Sequence, residues 1–557
     1  MEWYIPSFDE ADVEYLVKKL KIPHLLAKVL INRGLTEPEI VYRFLYPRLS
    51  YLHDPWKFKD MKKAVYRIYK AIINQEKVLI YGDYDTDGIT STSILYLFLF
   101  PLISKLFYYL PHRLKEGYGL NIQAIKRFAE MGISLLITTD CGISNKEEIV
   151  FANQLGLDVI IIDHHEVPKI LPPAYAIINP KQPDCSFPFK ELAGVGVTFN
   201  LLIALRQFLY RQGIWNESEI PNLKVYLDLV ALGTIADMVP LIDENRIFVK
   251  CGLEVLSTTQ RPGLKALKAI SGLNDRITTV KEVAFRLVPR LNAAGRLDTP
   301  EIALKLLLTN EEEEAYHLAK ILNEINSKRQ RLEESIWREA QKMVKNGQSV
   351  LVSNHWHPGV IGIVAGRLAE ISKRPILLIT FEGEIGRGSG RSIEGFDLFA
   401  ALSQCANYLK SYGGHKLAGG FKIEMKNISS FINIFEEMIK KALKEIKPKL
   451  YLDAEARLEE ITPSFMQYLS LFPPYGYGNP EPLFLSPPLT VKQAILTQEK
   501  HLKLLLCYQN FIFEAIGLNL SSFYPPPNPV QVAFTPYFEY WHGESTLKFK
   551  IQAIRGK

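Results

Sequence analysis

The order of apolar and polar residues in the first half of the chain repeats one unit. A short apolar run ends in small or acidic residues, and a segment with helical spacing follows. Lys77 to Gly88 reads KVLIYGDYDTDG, a buried strand running into an acidic loop. Ser134 to Ser144 (SLLITTDCGIS) and Asp158 to Val167 (DVIIIDHHEV) repeat the design. Asn121 to Gly132 and Asn145 to Gly156, which lie between them, read as helices. Strands alternating with helices predict parallel βαβ units in an open α/β sheet. Functional residues of such sheets gather at the carboxyl ends of the strands, where all three acidic or His-rich loops fall.

Further along, the pattern changes twice. Thr309 to Gly347 contains no Pro and only a terminal Gly, with Ala315, Leu318, Leu322, Ile325, Leu332, Ile336, Ala340 and Met343 mostly at three- and four-residue steps. Its Glu-rich start and Lys-rich end suit the helix dipole, so one or two long connecting helices are expected. A second α/β unit follows with the strands SVLVS and RPILLIT. After Pro448, short strands and Pro-rich turns predict a small all-β module. The expected divisions are 1–308, 309–347, 348–447 and 448–557. Ile94 to Leu110 is long and apolar, but Pro101 and Lys105 interrupt it. A spanning helix wants about twenty apolar residues, so a buried helix followed by a buried strand is expected, and no membrane association.

Composition narrows the class. At 557 residues the chain is too long for one core, and roughly three to four domains are expected. Lys and Arg number 66 against 60 Asp and Glu, a net charge of +6 that permits a nucleic-acid partner without requiring one. The five cysteines are scattered, which argues against a disulfide framework or structural zinc. The start, MEWYIPSFDEADVEYL, lacks the cationic lead of a signal peptide, and the expected compartment is the cytoplasm.

The loop GDYDTDG sets Asp83, Asp85 and Asp87 two residues apart directly after a strand. Crowded carboxylates repel one another unless a cation neutralises them, and hard oxygen ligands suit Mg²⁺ or Mn²⁺. A solvated turn or calcium loop is the simpler alternative for this loop alone. The EF-hand form of it fails, because a strand enters the loop and no Glu completes it. Asp140 ends LLITTD and on its own would read as a helix cap. Asp163, His164 and His165 end VIIID, and Asp237 is the single acid delivered by LVALGTIADMVPL. A buried carboxylate wants a charge partner. Acids and imidazoles from four separate loops at one sheet edge suit two-metal hydrolysis of a phosphoester. There is no Gly-Lys-Ser/Thr phosphate loop, which disfavours a nucleotide-powered motor.

These residues resemble the DHH phosphoesterase family, whose name is the triplet Asp163-His164-His165. GDYDTDG, TTDCGIS, DHH and GTIADMVPL resemble the family's four motifs in order. VPRLNAAGRL, LNEINSKRQ, HPGVIGIVAGRLAE, GSGRSIEGFDL, GGHKLAGG and PYGYGNPEPLF extend the likeness to its exonuclease branch over most of the chain. The resemblance implies a Mg²⁺- or Mn²⁺-dependent exonuclease, with two ions, acting on single-stranded DNA from the 5′ end in repair and recombination. It implies metal ligands Asp83, Asp85, Asp140, His164 and Asp237, a supporting Asp87, and His165 at the scissile phosphate. Many relatives carry His two residues before the first Asp, where this chain has Tyr81.

The second α/β unit resembles the DHH-associated substrate domain. There Ser389 and Arg391 of GSGRS would offer flexible backbone donors and a forked cation to a terminal phosphate, joined by Arg113, Arg290 and Arg296. Gly414 and His415 of GGHKLAGG would let a backbone approach DNA closely. The last module resembles an OB-fold, whose aromatics stack on bases in other proteins; most here are expected to be core. Single-strand-binding protein and a helicase are the protein partners considered. Two other readings compete: a phosphodiesterase for short RNA or dinucleotides, and a non-catalytic replication scaffold. The extension and terminal module argue against the first, and the intact set of acids against the second.

Overall fold

The computed structural model describes residues 2–274, 277–446, 449–509, 511–541 and 544–556. The chain forms two compact units, one of residues 52–239 and 247–447, the other of residues 1–51, 240–246 and 448–557.

In the larger unit, five parallel strands lie in the order Leu106–Tyr109, Val78–Gly82, Leu135–Thr139, Asp158–Ile162, Ala176–Ile178. Every residue of VLIYG and LLITT is buried, as expected where helices cover both faces of a parallel sheet. The helix Thr86–Leu99 is apolar on nearly all sides because it packs against both Gly194–Arg211 and Leu227–Ala236. The apolar stretch 94–110 divides at Leu99 and resumes as the strand Leu106–Tyr109. No described helix is long and apolar enough to cross a membrane.

A single helix, Glu312–Lys345, spans the connecting stretch. Its 34 residues run about 51 Å at 1.5 Å each, with three Glu in the first turn and Lys342 and Lys345 in the last. Beyond it, five strands pair in the order Leu409–Gly414, Ala418–Glu424, Ile385–Arg391, Ile376–Glu382, Val350–Ser353.

Here one expectation is corrected. GSGRS is not a turn with free backbone donors. It lies in a strand hydrogen-bonded on both sides, with Ser389 opposite Leu378 and Gly420. Its glycines answer packing. A Cβ at Gly388 would sit 2.1 Å from the Phe421 ring, and one at Gly390 would sit 3.0 Å from Leu398. With one face flattened for these side chains, Arg387, Ser389 and Arg391 project from the other.

In the smaller unit, a seven-stranded sheet wraps a core of Phe484, Phe534 and Phe549. Leu25, Leu26, Val29 and Leu30 of the helix His24–Asn32 belong to the same core. The first 51 residues therefore pack with the terminal β module, not with the phosphoesterase sheet that the sequence division grouped them with. Their amphipathic helices bury leucines the β core can absorb. Arg246, fully buried, donates to the carbonyl oxygens of Phe44, Leu471 and Phe472 at 2.8 to 2.9 Å. Tyr475, Tyr508, Phe513 and Phe538 pack against the core, whereas Tyr477 and Phe511 are exposed. The side chains of Tyr540 and Trp541 lie outside the described residues.

Candidate metal centre and phosphate pocket

The strand order reverses between Val78–Gly82 and Leu135–Thr139, the first and third strands in sequence, which lie side by side with their connections leaving in opposite directions. Such a switch point opens a crevice beyond the carboxyl ends of both strands. Asp83 follows the first, Asp140 follows the second, and the Asp163-His164-His165 triplet follows the neighbouring strand. Asp237 caps the carboxyl end of the helix Leu227–Ala236. Asp140 takes φ +61 and Met238, next to Asp237, takes φ +57. Left-handed conformations at non-glycine residues are strained and recur where a side chain must be aimed.

His164 Nε2 lies 3.1 Å from Asp140, 3.5 Å from Asp237 and 4.0 Å from Asp87. Three sets of ligand atoms lie within 4.8 Å of one another: Asp83, Asp85 and Asp140; Asp87, His164 and Asp237; Asp140, His164 and His165. Asp140 and His164 each belong to two sets, so adjacent sites share them. Buried polar atoms are nearly always hydrogen-bonded. Yet Asp83 Oδ1, Asp140 Oδ1, His164 Nε2 and Asp237 Oδ2 are buried without a hydrogen-bond partner. Four such atoms converging, three carboxylate oxygens and an imidazole nitrogen, form a donor set that fits Mn²⁺ or Mg²⁺.

The electrostatics agree. Burial, then repulsion from neighbouring carboxylates, holds Asp83 and Asp140 well above the ordinary carboxylate range. The same causes push Asp87 and Asp237 up to about 7. Two expected site residues also have structural partners. Asp85 Oδ1 caps the helix Thr86–Leu99, accepting from the amides of Asp87 and Gly88 at 2.9 and 3.2 Å. Asp87 accepts from Gly194 and Val195 at the start of the helix Gly194–Arg211, at 2.7 and 2.9 Å. Tyr81 is buried and donates to the Gly119 carbonyl at 3.0 Å, in none of the three sets.

The two adjacent histidines differ in charge. Burial, then His165, lowers His164 to about 4, so it is neutral at pH 7. Burial also opposes charge on His165, but its 2.7 Å hydrogen bond to Asp163 and further carboxylates outweigh this and raise it to about 9. Asp163 would be raised by burial, yet the bond to His165 and other donors bring it down to about 2. Its remaining contacts are the amides of Ile143, His164 and His165.

A second feature is cationic. Burial, then Arg113 and Arg391, lowers Arg296 to about 9, and burial, then Arg113, lowers Arg391. The three guanidinium groups thus lie close enough to repel one another. None of them forms an ion pair with an acid among the described residues. Arg391 also reaches the Ser389 hydroxyl at 3.4 Å, and Arg113 lies over the Tyr84 ring at 5.2 Å. Arg290 is turned elsewhere, to Asn323 at 3.0 Å and the Arg286 carbonyl at 2.5 Å. Gly414 ends an edge strand at φ +138, where a Cβ would lie 2.3 Å from the Ala418 carbonyl, and the exposed His415 follows it.

Three residues at this crevice were not singled out from the sequence. Asn292 accepts from both the amide and the hydroxyl of Thr86 at 2.8 Å, tying the helix Val288–Leu297 to the acidic loop. The Tyr118 hydroxyl lies 3.2 Å from His165 Nδ1. Lys181 pairs with Glu166 at 2.9 Å and acts on both His164 and Asp237. Asn292 lay inside a motif already quoted, but only proximity in three dimensions marks the other two.

Three family models match the chain: the DHH family N-terminal domain over residues 77–234, the DHHA1 domain over 347–441 and the RecJ OB domain over 452–553. The single-stranded-DNA-specific exonuclease RecJ of Bacillus subtilis is 39% identical over 535 residues, covering 93% of this chain and 66% of the relative. The protein of the same name from Haemophilus influenzae is 35% identical, covering 91% of this chain and 92% of its own. The crystal structure of RecJ with Mn²⁺ from Thermus thermophilus superposes with a TM-score of 0.85 at 30% identity, over 100% of this chain and 80% of that one.

Proposed function

Because the chain belongs to the RecJ family of DHH proteins, we propose that it is a metal-dependent exonuclease that hydrolyses single-stranded DNA from the 5′ end and releases mononucleotides. The observation that carries this reading is the convergence of four partnerless buried polar atoms beside three arginines that form no ion pair with an acid among the described residues. The first feature asks for cations and the second for an anion, and a nucleic-acid end between them supplies the anion.

Asp83, Asp85, Asp140, His164 and Asp237 would hold two Mn²⁺ or Mg²⁺ ions. Two such ions supply Lewis-acid activation of water and neutralisation of developing charge. His164, neutral at pH 7, offers a lone pair. His165 is charged, with Nδ1 committed to Asp163, so its other ring nitrogen is available to donate to a phosphate oxygen. Asp87 holds the N-terminus of the neighbouring helix and fixes the acidic loop.

Arg113, Arg296 and Arg391 with Ser389 would take a terminal 5′-phosphate, which selects the linkage presented to the cluster. Arg is matched to phosphate by its forked donors. Gly414 and His415 would line the strand's backbone. Working in the cytoplasm, single-strand-binding protein and a helicase would be the partners that present such ends.

The test is a time course on end-labelled single strands, with Mn²⁺ or EDTA, with and without a 5′-phosphate. Shortening from the 5′ end only with the ion is expected. Asp140→Ala should abolish cleavage with strand binding retained, and Arg391→Ala should reduce the preference for a phosphorylated end. Full cleavage by Asp140→Ala, or faster turnover of dinucleotides than of long strands, would overturn the reading.

A further inference from the structure

The three arginines of the cationic pocket come from three different elements. Arg296 lies in the last turn of the helix Val288–Leu297 and donates to the Gly359 carbonyl at 3.2 Å. Arg391 ends the strand Ile385–Arg391 and donates to the Gly390 carbonyl at 2.8 Å. Arg113 lies on the loop that follows the strand Leu106–Tyr109. No residue from His112 to Tyr118 is fully buried, so little hydrophobic packing holds this loop in place. Repulsion from the other two guanidinium groups acts to push Arg113 away.

Polar contacts hold the loop instead. Glu116 accepts from the Tyr109 hydroxyl at 2.6 Å and from the His112 amide at 2.7 Å. The amides of Lys115 and Glu116 donate to the His112 carbonyl at 3.0 and 2.8 Å. These bonds fold the loop on itself and onto its own strand. A further contact ties it to the second sheet. Arg387 donates to the carbonyl of Leu114, the residue after Arg113, at 3.2 Å. The other arm of the same guanidinium meets Glu382, on the preceding strand, at 3.3 Å, which fixes the direction of the fork. Arg387 shares a strand face with Ser389 and Arg391, about 7 and 13 Å farther along. One strand thus supplies two groups of the pocket and grips the loop that supplies a third.

We infer that Arg387 is a positioning residue for the terminal-phosphate pocket, holding the loop 112–118 so that Arg113 stays beside Arg296 and Arg391. A charged donor on a backbone carbonyl makes a strong hydrogen bond, and it fixes the chain at the point next to the side chain being aimed. Arg387 would therefore set the preference for a phosphorylated end without touching the phosphate itself. The inference rests on the terminal-phosphate reading of the site.

The test compares kcat and KM on 5′-phosphorylated and 5′-hydroxyl single strands. Arg387→Met keeps the aliphatic stem and removes the donors. It should reduce the preference for the phosphorylated strand about tenfold, through a higher KM for that strand. Arg387→Lys, which keeps a charged donor, should retain most of the preference. In an Arg113→Ala background, Arg387→Met should cause no further reduction, because its effect passes through Arg113. An equal reduction in both backgrounds is what direct phosphate contact or general loosening would give, and it would overturn the assignment. Amide hydrogen exchange without DNA gives a second readout: residues 112–118 should exchange about tenfold faster in Arg387→Met than in the unaltered protein. Unchanged exchange there would also overturn it. If the unaltered protein shows no preference for a phosphorylated end, the pocket reading itself falls, an outcome distinct from these.

Discussion

Ion binding at the acidic cluster should expel protons, and the number can be worked from the structure. Asp87 and Asp237 are both pushed up to about 7 by burial and their carboxylate neighbours. At pH 7 each therefore holds about half a proton and the pair about one. Asp83 and Asp140 are likewise raised, by burial and neighbouring carboxylates, and any proton they hold adds to that number. Cations bind the ionised forms, so Mn²⁺ added at pH 7 should displace at least about one proton.

The sign for stability follows from the same shifts. A carboxyl raised above its unfolded value binds more protons folded than unfolded between about pH 4 and about pH 7. The ion-free protein should lose stability as pH rises through that window and level off above it. One carboxyl moved to about 7 corresponds to about 4 kcal/mol by alkaline pH, and because Asp237 itself contributes to the rise of Asp87 the two shifts do not simply add. A hundredfold excess of Mn²⁺ over its dissociation constant restores about 2.7 kcal/mol per site.

Calorimetry at pH 7 in two buffers of different ionisation heat reads the proton number. Melting near pH 5 and near pH 8, with EDTA or Mn²⁺, reads the stability. Equal binding heats in the two buffers would refute the reasoning. So would an ion-free protein that melts higher at the alkaline pH than at the acidic one.

Three further outcomes are expected. His165, raised to about 9 through Asp163, should give kcat/KM an alkaline limb near that pH; Asp163→Asn should move the limb lower, and a pH–rate profile with an unmoved limb counts against a charged His165. A Cβ at Gly88 would sit 2.6 to 2.7 Å from backbone and Cβ atoms of Asp83 that cannot give way. Gly88→Ala should therefore weaken Mn²⁺ binding about tenfold or more with the circular dichroism of the fold intact, a strain of roughly 1–3 kcal/mol; an unchanged calorimetric affinity would show that the loop has room. Gly388→Ala, which drives a Cβ into Phe421, should cost roughly 1–3 kcal/mol in urea unfolding. Phe421→Leu should recover part of that loss, and strict additivity of the two changes would mean the clash is relieved elsewhere.

Much of the catalytic edge was legible because its signal is local. A buried strand that runs directly into an acid, as at Asp83, Asp140 and Asp163, is readable from a dozen residues, and the period of apolar positions separates strand from helix. GSGRS misled for the opposite reason. Glycine ordinarily signals a turn, but here its value is the missing side chain, which only the position of Phe421 and Leu398 reveals. The first 51 residues misled similarly. An amphipathic helix states that it needs a core, not which one, and its leucines meet Phe484 and Phe465 from the far end of the chain.

The pair His164 and His165 marks where sequence reasoning must stop. Adjacent identical residues carry identical local information, yet one is neutral and the other charged at pH 7. The difference comes from Asp163, which reaches Nδ1 of the second histidine and leaves Nε2 of the first facing Asp140, Asp237 and Asp87. That geometry depends on the strand order. Placing Val78–Gly82 beside Leu135–Thr139 opens the crevice into which acids more than fifty residues apart project. Any rearrangement that separated those two strands would leave every motif intact in the chain and remove the one place where the acids meet.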